Sequence, residues 1–202
     1  MKNIVLARVD DRLIHTEILT LWVPEVRANR IIIVDDVVAK DKFRSKVIKE
    51  MAPQGLIIHV YGIDRATEKL KEAPSFDGER VIVIAESPLV FEELIKRGIK
   101  INQLNIGGMG IRGERKAVAR RVACDTMEME AIHELIKKTC TCIFPDSSNK
   151  KFRRSKKIHQ RISKIPKNAI SVYRIFIKRG LHFFLSGVIL MNIELALDIS
   201  EC

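Results

Sequence analysis

The sequence lacks the cysteine pattern of a metal site or of a disulfide framework. Its four cysteines are Cys124, Cys140, Cys142 and Cys202, and no C-x-x-C pair occurs among them. Cys140 and Cys142 stand one residue apart, so on a strand their side chains point to opposite faces, a poor geometry for binding one ion. We therefore predict reduced structural thiols in a reducing compartment.

The sequence also lacks the pattern of a secretory signal peptide and a run long enough to span a membrane. Met1-Lys-Asn leads straight into an apolar run, without a charged segment and a cleavage site around it. The apolar stretch Phe183–Met191 is shorter than the ~20 residues that a transmembrane helix needs. With 47% hydrophobic and 30% charged residues, we expect a cytosolic protein with one ordinary domain and an appendage.

The net charge of +11 is unevenly distributed along the chain. Residues 1–148 hold 24 Lys and Arg against 22 Asp and Glu, whereas residues 149–202 hold 12 against 3. The charge evidence for a nucleic-acid partner would therefore come from the tail alone. Phe152 is the single aromatic residue in the basic run Asn149–Lys157, which gives base stacking little support. We predict no nucleic-acid partner.

Three interpretations of the tail, residues 147–202, are open. A change of reading frame, or translation past the normal end, explains the abrupt change in composition and is favoured. A genuine extension would place its basic run on anionic lipid and its apolar segment in the membrane interface. A nucleic-acid-binding arm is the third. We therefore predict one domain over residues 1–146 and an atypical basic and apolar tail over 147–202.

Apolar runs alternate with helical patterns over the first 144 residues. The predicted strands are Ile4–Val9, Arg30–Asp35, Leu56–Tyr61, Arg80–Ala85, Gln103–Ile106 and Cys140–Phe144. Helices are predicted over Ile14–Val23 and Asp41–Ala52, and three more begin at Asp64, after the capping Ser87 and at Asp125. This alternation predicts an α/β fold with three layers, in which helices cover both faces of a mostly parallel sheet.

The first predicted strand runs directly into charged and titratable residues. They are Asp10, Asp11, Arg12 and His15, and ligands bind at the carboxyl ends of strands in such sheets. An imidazole that accepts a phosphoryl group needs a cation for the oxyanion charge, which the guanidinium suits, and a group that fixes its tautomer. Asp10 and Asp11 can hold Arg12 or orient the imidazole of His15.

Five segments then carry a resemblance to a known family. Val9-Asp-Asp-Arg-Leu-Ile-His15 resembles the active-site motif of the IIB component of the mannose/fructose/sorbose family of bacterial phosphotransferase systems. Trp22-Val23, Asn29–Asp36, Val38–Asp41 and Ile106–Met109 follow in the order that this family shows. The resemblance covers about residues 1–146.

The resemblance implies a phosphohistidine carrier and its partners. His15 would take a phosphoryl group from a histidine of a IIA protein or domain, and a sugar would receive it as the membrane components IIC and IID carry that sugar inward. Arg12 would bind the phosphate, and Gly107 and Gly108 match the loop near the site. Ser87, at the end of the fourth strand, would offer a hydroxyl there, although its capping role suffices to explain it. The resemblance implies no metal or cofactor. It places the protein in the cytoplasm, associated with the inner-membrane complex. It is also compatible with a homodimer.

The chain departs from the family pattern directly after the histidine. The family usually has Gly-Gln there, and this chain has Thr16-Glu17. A carboxylate beside an incoming phosphate is repulsive, so slower phosphoryl transfer is expected unless Glu17 points away. A regulatory or transfer-deficient module that docks the same partners is therefore the alternative function.

A dinucleotide-binding enzyme is a further and weaker alternative. Gly108–Gly113 matches G-x-G-x-x-G and follows a strand. It follows the fifth strand rather than the first, however, and no acidic residue stands ~20 positions later to bind a ribose. The phosphate-adjacent loop of a IIB subunit explains the same glycines better.

Overall fold

The computed structural model describes residues 1–119, 121–138 and 141–143. The strands within these ranges are β1 (Ile4–Val9), β2 (Arg30–Val34), β3 (Ile57–Tyr61), β4 (Val81–Ala85), β5 (Gln103–Ile106), β6 (Lys116–Ala119), β7 (Val122–Cys124) and β8 (Thr141–Ile143). The helices are α1 (Val23–Glu25), α2 (Asp36–Lys40), α3 (Lys42–Glu50), α4 (Ile63–Lys71), α5 (Pro88–Lys96) and α6 (Thr126–Lys138), and a π-helical turn (Ile18–Trp22) precedes α1. No helix in the described ranges is both long and apolar enough to cross a bilayer.

Six strands form one sheet in the order β3-β2-β4-β1-β5-β8, and each neighbouring pair is parallel. β6 and β7 form a separate antiparallel hairpin. From β1 the chain moves past β4 to reach β2, and it later returns through β4 to β5 on the other side of β1. The strand order therefore reverses beside β1, where diverging loops leave a crevice at the carboxyl ends of the strands.

Both faces of the sheet are buried, as parallel strands require. On one face Leu6, Ile33 and Ile84 pack with Ile18 of the π-helical turn and with Val38 of α2. Alternate strand residues point to the opposite face, where α5 packs against α4 and α6. Helices thus cover both sides of the sheet, and the predicted three-layer α/β/α fold is confirmed.

The predicted strands agree with the structure to within one residue from β1 to β5. β8 lies inside the predicted strand Cys140–Phe144, whose two end residues are outside the described ranges. The tail, residues 147–202, is also outside them. The β6–β7 hairpin had no counterpart among the predicted elements, because its short strands show no long apolar run.

Two helical predictions need correction. The first helix was expected over Ile14–Val23, but Ile14 lies in a loop and the helical turns continue through Pro24 to Glu25. Pro24 is tolerated there because it falls in the first turn of α1, after a π-helical turn in which the Val23 N–H bonds to the carbonyl of Ile18.

The second correction adds an element after β2. The predicted helix Asp41–Ala52 is present as α3, and the short helix α2, which the periodicity did not reveal, precedes it. The Asp35 carboxylate caps α2 by accepting from the N–H groups of Val37 and Val38. Asp41 then ends α2 in an extended conformation and caps α3 through the N–H of Arg44.

Candidate functional site

The loops after β1, β4 and β5 meet beside the reversal of strand order. The N–H of Asp10 donates to the carbonyl of Ala85 at the end of β4 (2.9 Å), and the N–H of Gly107 donates to the carbonyl of Val9 (2.7 Å). The N–H of Asp11 also donates to the carbonyl of Gly108 (2.8 Å). These backbone bonds fix the charged segment after β1 against its two neighbouring strands.

The carboxylate of Asp10 is fully buried and binds three side chains at once. Its Oδ2 accepts from Nη2 of Arg8 (2.7 Å) and Nε of Arg8 (3.1 Å). Its Oδ1 accepts from Nε of Arg12 (3.1 Å), and Nε2 of His15 lies 3.0 Å from Oδ2. Asp10 therefore performs both tasks proposed from the sequence, since it holds the arginine and orients the imidazole.

The charge on Asp10 is secure despite its burial. Burial raises the pKa of this carboxyl, but hydrogen bonds from Arg12 and Arg8 and the charge of Arg8 outweigh it and hold the pKa well below its usual range. The group is consequently a carboxylate at neutral pH. An anionic partner favours a proton on the histidine nitrogen that faces it, so the contact with Asp10 favours the tautomer of His15 that has its proton on Nε2.

The loop between Arg12 and His15 is held in an unusual conformation. Leu13 has φ +55°, in the left-handed region that a side chain with a Cβ rarely adopts, at a cost of order 1–3 kcal/mol. Its N–H donates to the carbonyl of Asp10 (3.0 Å), and both Leu13 and Ile14 are buried in the core. Core packing therefore holds the turn that presents His15, of which 16% of the side chain is exposed.

Gly107 and Gly108 make room for the two guanidinium groups. A Cβ on Gly107 would stand 2.5 Å from Cζ of Arg8 and 2.6 Å from the carbonyl oxygen of Val9. A Cβ on Gly108 would stand 3.1 Å from Oδ1 of Asp10 and 3.2 Å from Nη2 of Arg12. These glycines thus permit the packing of the charged cluster.

The side chains of Asp11 and Ser87 bind groups near His15 rather than His15 itself. Oδ2 of Asp11 accepts from the N–H of Gly110 (2.7 Å) and lies 3.8 Å from Nη1 of Arg115, so this carboxylate fixes the loop after β5. Ser87 caps α5 and donates from its hydroxyl to Oε1 of Glu128 (3.1 Å). Within the described ranges the structure shows neither side chain bonded to His15 or Arg12.

Two arginines of the cluster were missed by the sequence reasoning. Arg8 is buried, stacks over the ring of Trp22 at 4.7 Å and donates to Oδ1 of Asn105. The sequence did contain a clue to Arg8, because a charged residue inside a buried strand requires a partner. Arg121 reaches the site from the β6–β7 hairpin, and no local pattern pointed to it.

Arg121 reaches the site through Glu17, the residue at which the chain departs from the family pattern. Oε2 of Glu17 accepts from Nη2 of Arg121 (3.2 Å), and the carboxylate lies 3.7 Å from both Arg8 and Arg12. Burial raises the pKa of Glu17, but the charges of Arg8 and Arg121 hold it below its usual value. Glu17 is therefore an anion surrounded by cations.

A groove adjoins the loop Asp11–Ile14 on the side of α3. Phe43, Val47 and Met51 of the α3 segment line it, together with Arg44. The spacing of these apolar residues predicted a helix, yet their side chains are exposed, with Phe43 at 76%. Exposed apolar patches are common at surfaces that bind other proteins.

The dinucleotide interpretation of Gly108–Gly113 is wrong. That fingerprint needs a helix directly after the glycines, whose N-terminus binds the pyrophosphate. Here the segment leads from β5 into the hairpin strand β6. The described ranges also hold no group of three or more His, Cys, Asp or Glu side chains arranged for a metal ion.

Gly107→Ala is expected to damage the cluster, because its Cβ would overlap both Arg8 and the backbone of β1. We expect a loss of about 1–3 kcal/mol in the free energy of unfolding, the usual cost of overpacking. Gly110→Ala is the matched control, since its Cβ would meet a single side-chain oxygen of Asp11, at 3.2 Å, and no backbone atom. Equal stability of the two variants in urea unfolding would contradict this account of the loop.

Asp10→Asn should destabilise the protein in a pH-dependent manner. At neutral pH the variant leaves Arg8 buried without its counter-charge, at an expected cost of about 3 kcal/mol. A carboxyl whose pKa is lowered by folding stabilises the fold above its unfolded pKa of about 3.9, and it loses this contribution as the pH falls further. The stability difference between wild type and variant should therefore narrow below about pH 4. A difference that stays constant from pH 7 to pH 3 would show that the ionised Asp10 adds nothing.

The family model described as "PTS system sorbose subfamily IIB component" matches residues 4–180. The sorbose-specific EIIB component of Lacticaseibacillus casei is 36% identical over 132 residues, which are 65% of this chain and 80% of that relative. The mannose-specific EIIAB component of Escherichia coli K12 is 37% identical over 130 residues, 64% of this chain. The chain matches only 40% of the length of that relative.

A solved structure agrees with the fold. The IIBSor domain of the sorbose permease from Klebsiella pneumoniae superposes with a TM-score of 0.70 at 29% identity, over 79% of this chain and 97% of that domain. The family match extends beyond residue 146, so the domain boundary predicted there stays a prediction. The resemblance seen in the sequence is confirmed, and the chain belongs to the family of sorbose-subfamily IIB components of the PTS system.

Proposed function

We propose that this chain is a phosphohistidine carrier in sugar uptake, with Nδ1 of His15 as the phosphoryl acceptor. The observation that carries the proposal is the 3.0 Å contact between Nε2 of His15 and the buried carboxylate of Asp10. It leaves Nδ1 as the nitrogen with a free lone pair. Family membership supports the same class of function.

The first step would take the phosphoryl group from a phosphohistidine of a IIA partner. The bond from phosphorus to the donor imidazole breaks as a bond from phosphorus to Nδ1 forms, while the proton stays on Nε2. The phosphorylated ring then carries positive charge, which Asp10 stabilises. Arg12, of which 44% of the side chain is exposed, is the cation placed to bind the phosphoryl oxygens.

The second step would pass the group to a sugar bound by the membrane components IIC and IID. A sugar hydroxyl oxygen bonds to phosphorus as the bond to Nδ1 breaks, the ring returns to its neutral form with its proton on Nε2, and the hydroxyl proton passes to water. A cytoplasmic position beside the membrane complex follows from this role. The name of the mannose-specific EIIAB relatives, which joins IIA to IIB, supports a IIA protein as the donor.

The other predicted site residues take supporting roles in this proposal. Asp10 fixes the tautomer of His15 and the position of Arg12. Asp11, through Gly110, fixes the loop that carries Gly107 and Gly108. Ser87 is placed as a cap of α5 whose hydroxyl is bonded to Glu128, so we assign it no contact with the phosphoryl group.

Incubation with phosphoenolpyruvate, the general phosphotransferase proteins and a IIA donor should add one acid-labile phosphoryl group to the wild type. Intact mass measures the adduct. His15→Ala should lose it, because the acceptor nitrogen is gone, and His59→Ala, a control on β3, should keep it. Labelling of His15→Ala would refute the site. A wild type that binds IIA but is never labelled would favour the regulatory module instead.

Phe43→Ser should slow transfer from the IIA donor without unfolding the protein. We propose that the groove beside the loop Asp11–Ile14 docks this donor, and exposed aromatic residues dominate such interfaces. We expect a roughly fivefold or greater loss of rate at limiting donor, with stability changed by about 0.5 kcal/mol or less. Phe76→Ser is the matched control, because Phe76 is also exposed but precedes β4, at the amino ends of the strands. Equal transfer rates in the two variants would exclude this docking surface.

A further inference from the structure

Glu17 is a second carboxylate within the group of arginines that surrounds Asp10 and His15. Its carboxylate is within 3.7 Å of guanidinium nitrogens of Arg8, Arg12 and Arg121. About 29% of its side chain is exposed, so solvent screens these charges incompletely. The carboxylate thus already occupies the cationic region that a phosphoryl dianion needs.

The three arginines differ in how firmly they are held by other groups. Arg8 is buried, with Asp10 and Asn105 as hydrogen-bond partners and Trp22 beneath it. Arg12 is bonded to Asp10 through both Nε and Nη2. Each therefore has a firm partner other than Glu17.

Arg121 has a fixed backbone and an adjustable side chain. Its carbonyl accepts from the N–H of Met109 (2.9 Å), and the N–H of Ala123 donates back to the carbonyl of Met109 (2.8 Å), so the hairpin is attached to the loop after β5. Its φ is +63°, in the left-handed region, at the turn between β6 and β7, and half of its side chain is exposed. Among the described residues, its ion-pair partner is Glu17.

We propose that Glu17 and the phosphoryl group of phosphorylated His15 compete for Arg121. In the unphosphorylated protein Glu17 holds this guanidinium at the mouth of the site. The phosphoryl group, with more charge and three acceptor oxygens, draws Arg121 away from the carboxylate. This inference rests on the proposed function and adds to it the residues that set how tightly the phosphoryl group is held.

The competition has a direct consequence for transfer. Glu17 stabilises the unphosphorylated state by pairing with Arg121, and it destabilises the phosphorylated state by repulsion. Both effects favour onward transfer to the acceptor. The departure from the family pattern at Thr16-Glu17 then weakens phosphoryl retention, with the charge balanced by an arginine 104 residues later in the chain.

The test is the equilibrium ratio of phosphorylated to unphosphorylated protein at a fixed ratio of phosphorylated to free IIA, measured by intact mass. Glu17→Gln should raise this ratio at least roughly threefold, the effect of removing one unit charge about 4–6 Å from another under the screening of bulk water, and by more where the screening is weaker. Glu25→Gln, an exposed glutamate of α1, is the matched control and should leave it unchanged. A neutral Gln at position 17 keeps the size of the side chain, so the fold is preserved.

Arg121→Gln completes the cycle. It should lower the ratio, and it should lower it more in the Glu17→Gln background, where Arg121 is free to bind the phosphoryl group. A labelled wild type whose ratio is unchanged by Glu17→Gln would overturn the competition and leave the proposed function intact. Absence of label on wild type, Glu17→Gln and Glu25→Gln alike would overturn the proposed function and this inference together.

Discussion

The buried carboxylate of Asp10 is the constraint on which the rest of the site depends. A fully buried anion is tolerated only when charges and hydrogen bonds compensate its lost hydration. Here Arg8 and Arg12 provide both, and the remaining contact goes to Nε2 of His15. One side chain therefore positions two cations and favours the tautomer of the imidazole that has its proton on Nε2.

Several features of the surrounding fold follow from that cluster. Two guanidinium groups need space at the carboxyl end of β1, and Gly107 and Gly108 leave it by lacking a Cβ. The strained turn at Leu13 persists because Leu13 and Ile14 are anchored in the core. The strand order reverses beside β1, and the crevice that this leaves at the carboxyl ends of the strands is where the imidazole of His15 is partly exposed.

The cluster also contains a carboxylate that opposes the binding of an anion. A site for a phosphoryl dianion gains from every cation, yet Glu17 places a second carboxylate among the same arginines. A carrier must release its cargo as well as bind it, so a weakened hold on the phosphoryl group is compatible with the role. Glu17 does not point away from the site, since its carboxylate lies within 3.7 Å of guanidinium nitrogens of Arg8, Arg12 and Arg121.

Much of this arrangement could be read from the sequence, and the rest could not for physical reasons. Periodicity and apolar runs located β1 to β5, and the residues after β1 identified Asp10, Arg12 and His15. Arg121 was not predicted as a site residue, because its contact with Glu17 joins residues far apart in the chain. The exposure of the apolar side of α3 was not predicted either, since helical spacing of apolar residues cannot distinguish a buried face from an exposed one.

We propose that Asp10 reserves Nδ1 of His15 for the phosphoryl group. Heteronuclear magnetic resonance on protein with ¹⁵N-labelled histidine, phosphorylated by its donor, tests this most directly. We expect coupling of phosphorus to Nδ1 of His15, with the proton still on Nε2. Coupling to Nε2, or to a nitrogen of any other residue, would contradict it.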